Sequence, residues 1–431
     1  MARDQRQLVR RRPVRPLIAA LMALTITASM LPMARVEARD AGSGAGRSPS
    51  GASRRTASLA IEKRVAVLLI NFATQASRPW TKAFVRDTFF GDRNSVADYY
   101  AELSDGKVSI TGNVFGYLTL KVSRDGCYYG TWGSAARAAA KSSGIDLAGY
   151  TNIVYAFPWQ ATCWWSGLAK GGSVELPGRN SWINGLMTLY IASHELGHNF
   201  GANHAGSITC TSAGQRVSYS ADCSTYAYGD PYDVMGYTGQ RHMQTWHRWR
   251  LGFLTDADVT TVTGDGTYRI ATAELADGNP RIVRIPRPAG DYYYLEFRQP
   301  FGRYDDFAAN APPVTGVSIR IARAAGAAPS RLIDTTPESC TFLDAPLGVG
   351  RTFVDAVNDI SITTLSVSAG GAEVRIQTGD FDIEPPPDEP PVTDSSAPTA
   401  PGTVSARLIT ARTVGVTWRR TQDDVGVDTT S

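Results

Sequence analysis

An α+β fold followed by a β-rich, sandwich-like region is what the 431-residue sequence predicts, on three observations. Val65 to Phe72 is an unbroken apolar run of strand length, as expected for a strand covered on both faces. Strand and helix patterns alternate from there to about residue 200, the ordering of an α+β domain. From about Thr260 to Gly379 the pattern changes to short β-prone runs punctuated by glycine, proline and aspartate, a sandwich-like signature.

In chain order, Arg3, Arg6, Arg10, Arg11, Arg12 and Arg15 precede an apolar run from Leu17 to Leu31. Val36-Glu37-Ala38 then offers small residues at the two positions a signal peptidase reads, so residues 1–38 read as a secretory signal. The run is short for a bilayer span, and Thr25, Thr27 and Ser29 interrupt it, so no membrane association is expected after cleavage; an uncleaved anchor is the alternative. Residues 39–60, rich in glycine and serine, read as a disordered leader or short pro-segment.

A domain over residues 61–258 follows. Ser95 caps a helix through Tyr99, Tyr100 and Leu103, and Asp105-Gly106 turns the chain into the extended pattern of Val108, Ile110, Val114 and Tyr117. Ser134 to Lys141 is an alanine-rich helix stopped by Gly144, and Asn152 to Phe157 is a second buried strand. A helix from near Gly185 to Phe200 places Leu189, Leu196 and Phe200 on a packing face.

That last helix carries the chemistry. Its end reads His194-Glu195-Leu196-Gly197-His198-Asn199-Phe200-Gly201-Ala202-Asn203-His204 and holds three of the five histidines. His194 and His198 stand one turn apart, so their rings converge on one cation. Gly201 can take the left-handed conformation that ends a helix and turns the chain back, bringing His204 to the same metal. Three protein ligands leave one position for water, and Glu195, beside the first ligand, stands where a general base accepts that water's proton.

This eleven-residue stretch is similar to the extended zinc-binding motif of the metzincin endopeptidases, and the run Tyr228-Gly229-Asp230-Pro231-Tyr232-Asp233-Val234-Met235-Gly236 resembles the gametolysin family in particular. The resemblance implies a metzincin-like zinc peptidase domain with a methionine turn in which Met235 is the apolar floor beneath the histidines. It also implies a Zn2+ cofactor and a protein or glycoprotein substrate. Tyr237, two places beyond Met235, stands where some metzincins carry a tyrosine that binds zinc or stabilises the oxyanion; an ordinary turn tyrosine is the alternative. Asp230 and Asp233 read as acceptors for the turn backbone or as a structural Ca2+ site. Gly171 to Leu176 reads either as the sheet edge that pairs with extended substrate or as a glycine-rich surface loop. Arg241 to Leu251 resembles the closing helix of such a domain, and its His242 and His247, lacking the motif spacing, are assigned surface or packing roles.

The remaining features bound the function. Cys127, Cys163, Cys210, Cys223 and Cys340 belong to an oxidising setting. Cys210 with Cys223 and Cys127 with Cys163 is the expected pairing, leaving Cys340 unpaired or with an outside partner, although other connectivities are open. No cysteine precedes Cys127 to hold the metal latent. Residues 1–38 contain seven of the 43 basic and two of the 40 acidic residues, so their removal leaves 36 against 38 and no basic field for nucleic acid. Beyond the β-rich region, 259–379, come a proline-rich linker, 380–396, and a segment, 397–431, resembling the opening strands of a fibronectin type III repeat. The expected function is a secreted, extracellular zinc-dependent endopeptidase that hydrolyses extracellular or cell-wall proteins with Glu195 as base. The competing reading is a noncatalytic zinc-containing adhesin or matrix-binding module, but a purely structural zinc has four protein ligands and no use for Glu195.

Overall fold

The computed structural model describes residues 61–379 apart from 174–175, 237–238 and 325–327, together with the strand backbone of 405–410 and 413–417. The expected signal over residues 1–38, leader over 39–60 and linker over 380–396 lie outside these residues, as does Tyr237. The fibronectin-like segment is described only as a two-stranded antiparallel pair, Ser405–Thr410 with Thr413–Thr417.

The chain is a mixed α/β structure. Its first elements are β1 (Ile61–Phe72), α1 (Lys82–Phe90), α2 (Val96–Leu103), β2 (Val108–Leu120), α3 (Tyr129–Ser142), β3 (Asn152–Phe157), β4 (Gly167–Ala169), β5 (Asn180–Asn184) and α4 (Leu189–Phe200). The five strands form one sheet in the order β2-β1-β3-β5-β4, parallel except for the edge strand β4. Val65, Val67 and Leu69 of β1 face a core shared with α1, α2 and α4, whereas Leu68, Ile70 and Phe72 face Trp132, Ala136 and Ala140 of α3. Both faces are therefore covered, which is why the run is apolar without interruption.

The start of one helix differs from that expected. Helix α4 starts at Leu189 and not near Gly185, because Gly185 has a left-handed φ of 70° and the Thr188 hydroxyl caps the first turn by accepting from the Ile191 amide at 3.2 Å. The sheet edge is Gly167–Ala169, which leaves the loop reading for the described residues of Gly171 to Leu176: the Ser173 amide bonds to the Leu176 carbonyl at 3.0 Å, and the Gly172 amide binds the His198 carbonyl at the end of α4 at 3.0 Å.

After α4 come β6 (Ala205–Ser212), β7 (Gln215–Val217), β8 (Asp222–Tyr226), α5 (Thr245–Arg250), β9 (Val259–Thr261), β10 (Gly266–Ile270), β11 (Ile282–Pro286), β12 (Asp291–Glu296), α6 (Pro312–Thr315), β13 (Gly316–Arg323), β14 (Ser330–Ile333), β15 (Leu347–Gly348), β16 (Thr352–Asp355), β17 (Ile360–Ser368) and β18 (Gly371–Thr378). A large sheet runs β7-β6-β14-β13-β12-β11-β9, with β8 also on β6, and a smaller one runs β10-β18-β17-β16. Ile285, Leu295 and Ile319 of the first share an apolar core with Ile362, Val374 and Ile376 of the second. The parallel pairing of β6 with β14, Ala205 opposite Ser330 through Ile208 opposite Ile333, carries backbone hydrogen bonds across the limit expected at residue 258.

The disulfides are Cys127–Cys163 and Cys210–Cys223, the second directly across β6 and β8, and Cys340 is free and exposed. Closing helix α5 spans only Thr245–Arg250, not Arg241 to Leu251. Its entry amides bind carboxylates in place of helix carbonyls: His242 to Asp305 at 3.0 Å, Gln244 to Asp233 at 2.9 Å and Thr245 to Glu296 at 2.5 Å.

Because β6 needs β14 as its neighbour, a fragment of residues 61–258 is expected to lack the cooperative thermal transition that residues 61–379 show by circular dichroism.

Candidate metal and catalytic site

Helix α4 ends at Gly201, whose φ of 113° is left-handed and whose amide closes the last turn on the Gly197 and His198 carbonyls. A side chain there would be strained, and its Cβ would come within 3.0 Å of Ser173 Cα. The reversal leads through Ala202 and Asn203 to His204, immediately before β6. One ligand atom from each of His194, His198 and His204 lies within 4.8 Å of the others, and His198 Nε2 is 3.1 Å from His204 Nε2. Two nitrogens bound at about 2.0–2.1 Å in a tetrahedral shell stand about 3.3 Å apart, so the trio fits a small cation. Among the described residues it is the one group of histidines, cysteines and acids that could hold a metal, and the calcium alternative has no such group.

The outer ring nitrogens are already engaged. His194 Nδ1 donates to the Val234 carbonyl and His198 Nδ1 to the Ala202 carbonyl, each at 2.8 Å, which leaves Nε2 as the inward lone pair. Burial lowers the pKa of all three imidazoles; His194 and His204 add to it at His198, and His204 falls to about 3 through burial and the neighbouring His194. The trio is thus held in the neutral form that binds metal.

Glu195 is buried, and burial alone pushes its pKa up to about 8. Gly167 of edge strand β4 lies against this carboxylate, with no space for a Cβ. Met235 is fully buried beneath α4, where a Cβ on Gly197 would come within 2.6 Å of its sulfur. The turn bearing Met235 is clamped by two aspartates that accept backbone amides. Asp230 takes the Tyr232 amide at 2.9 Å and Arg320 Nε at 2.7 Å, while Asp233 takes the amides of Met235 at 2.7 Å and Gln244 at 2.9 Å and His247 Nδ1 at 3.0 Å. Burial alone would raise the Asp233 pKa, but His247 and the two amides outweigh it and hold it below the ordinary value.

His242 and His247 are buried, so the packing role is the one observed. His242 sits 3.1 Å from Glu102 and 3.4 Å from Asp305; burial opposes its charge, yet these carboxylates raise its pKa. Sequence reasoning missed Tyr228, whose ring centroid is 3.9 Å from that of His204 and 6.2 Å from that of His194. Its position inside the run ending at Met235 was the available signal.

The Val234 carbonyl orients His194 and the neighbouring Asp233 fixes the turn, so Asp233→Asn is expected to weaken metal binding about tenfold to a hundredfold, read by competition with a chromophoric chelator. Glu195 makes a second prediction. Folded metal-free protein keeps a proton on Glu195 that the unfolded chain releases above about pH 4.5, so its stability contribution falls as pH rises from about 4.5 to about 8. Urea unfolding of metal-free wild type should lose more stability across that window than Glu195→Gln does.

No curated protein matches the chain. Similar solved structures number 44 chains. One, from a chaperone–substrate complex, is 13% identical over 44% of this chain and 30% of its own, with a TM-score of 0.25. Another is archaemetzincin from Methanopyrus kandleri, 15% identical over 33% of this chain and 76% of its own, with a TM-score of 0.19. This chain thus spans less than a third of the first, and likenesses this low carry no weight for fold or activity. The family model for gametolysin peptidase M11, in contrast, matches residues 64–328, a stretch that contains the three histidines, Glu195 and Met235. The protein belongs to the gametolysin peptidase family M11, a family of metallopeptidases.

Proposed function

We propose that the protein is a secreted zinc-dependent endopeptidase that hydrolyses peptide bonds of extracellular or cell-wall proteins. The observation that carries this reading is a buried carboxylate, Glu195, adjoining three neutral imidazoles whose free nitrogens converge. A zinc ion held by His194, His198 and His204 would supply Lewis acidity toward the scissile carbonyl and make a bound water more acidic. Glu195 accepts the proton of the attacking water and passes it to the leaving amine. Burial raises its pKa to about 8, and a cation held by the three histidines would bring that value down into the range of a group that both takes and returns a proton near neutral pH.

Strand β4 stands at the end of its sheet, with no strand on its outer side among the described residues, and its first residue adjoins Glu195. An extended polypeptide paired to this edge would bring a peptide bond to the carboxylate, with main-chain hydrogen bonds supplying affinity. Two disulfides fit an oxidising compartment, and among the described residues no helix is long and apolar enough to cross a membrane.

The test is cleavage of casein and of cell-wall glycoprotein by zinc-loaded protein, followed by peptide mapping. Glu195→Gln should keep stoichiometric zinc while losing about 10²–10⁴-fold in kcat. Undiminished cleavage by this variant, or cleavage that survives chelation, would overturn the mechanism; polymer binding without any turnover by the wild type would favour the adhesin.

A further inference from the structure

Tyr228 stands between the strand that follows His204 and the turn that carries Met235. Its segment is fixed at both ends: the Gly229 amide bonds to the Tyr226 carbonyl at 3.3 Å, and the Asp230 amide bonds at 3.1 Å to the carbonyl of Ala205, next to His204. Gly229 is packed so closely on Ser207 that a Cβ would overlap it. The ring this segment presents lies over His204 and near-parallel to His194, at an interplanar angle of 21°.

A tyrosine that serves only to pack buries its ring and gives its O–H a partner. Tyr228 is 39% exposed, and among the described residues its hydroxyl makes no hydrogen bond. By contrast, the neighbouring Tyr232 donates to the Leu343 carbonyl, and Tyr100 donates to the Ser193 carbonyl at 2.7 Å.

We propose that Tyr228 is a catalytic residue, its phenolic O–H donating a hydrogen bond to the oxygen of the scissile carbonyl as that oxygen gains negative charge. The inference rests on the peptidase reading above. As the water oxygen bonds to the carbonyl carbon, the carbonyl π pair moves onto the carbonyl oxygen and the water's proton goes to Glu195. Tyr228 keeps its proton and stabilises the oxyanion by its hydrogen bond. The sequence offers Tyr237 for the same role, so the two can be compared directly.

Tyr228→Phe keeps the ring on His204 and removes only the donor. It is expected to lose about 10²–10³-fold in kcat with KM little changed. Its affinity for a phosphinic peptide, whose P–O oxygen mimics the oxyanion, should fall at least tenfold, while chelator competition shows unchanged zinc affinity. Tyr237→Phe should lose less in both quantities than Tyr228→Phe does. Wild-type kcat in Tyr228→Phe, or the loss appearing in Tyr237→Phe instead, would overturn the assignment while leaving the peptidase reading intact. Weakened zinc binding, together with loss of a phenolate-to-copper absorption band from the Cu(II)-loaded protein, would make Tyr228 a metal ligand and overturn it too. A metal-loaded wild type that cleaves nothing would overturn the peptidase reading and this inference with it.

Discussion

The metal site depends on a buried chain of charges that ends at the turn beneath it. Arg320 on β13 binds Asp230 at 2.7 Å and Glu296 at 3.0 Å; Glu296 on β12 also takes Arg298 at 2.7 Å, and Arg298 takes Asp305 at 3.0 Å. All five side chains are buried. Burial works against the charge of Glu296, but Arg298 and Arg320 overcome it and hold its pKa well below the ordinary carboxylate value. Such a chain is not a source of large net stability, because removing the ions from water costs nearly as much as their attraction returns. Its effect is geometric. With each carboxylate matched to two or more donors, the turn from Asp230 to Gly236 is left one low-energy placement, and the Val234 carbonyl is where His194 needs it.

The same asymmetry makes the arrangement unforgiving. Deleting one member strands its partner as an uncompensated buried charge, at a cost of about 3–5 kcal/mol. That is a large fraction of the stability of a typical domain. Asp233 lies outside this chain of charges and fixes the turn by hydrogen bonds, its two oxygens serving the Met235 amide, the Gln244 amide and His247 together. Met243 joins Met235 under Gly197, so the histidine helix rests on two flexible thioethers while the rigid demands are met by ionic and backbone bonds below.

What was legible in the sequence was local. The spacing of His194, His198 and His204 contains its own geometry, because a helix turn and a left-handed glycine are properties of neighbouring residues. The strands Val65 to Phe72 and Asn152 to Phe157 were likewise readable from unbroken apolarity, and one disulfide, Cys210–Cys223, from its short loop. The rest was set by distant partners. Nothing near His242 announces that Glu102 and Asp305 will enclose it, and no local signal says that Asp305, Asp233 and Glu296 will take the amides that would have extended α5 toward Arg241. Between the two readings open for Gly171 to Leu176, edge strand or loop, a distant contact decides, because Gly172 is consumed in binding the end of α4 and the edge falls at Gly167–Ala169. Tyr228 was hidden for a related reason: its ring meets the histidines only once β8 folds back along β6.

The pairing of β6 with β14 has a consequence for how such a protein can change over evolutionary time. One sheet is woven from β6, directly after the histidines, and from strands beyond residue 258, so the later segment cannot be exchanged for a foreign module, nor shed during maturation, without opening a row of unpaired peptide groups beside His204. New specificity must therefore arise by altering loops and exposed rims in place, and any covering that keeps the enzyme silent must be added from outside this interlaced body.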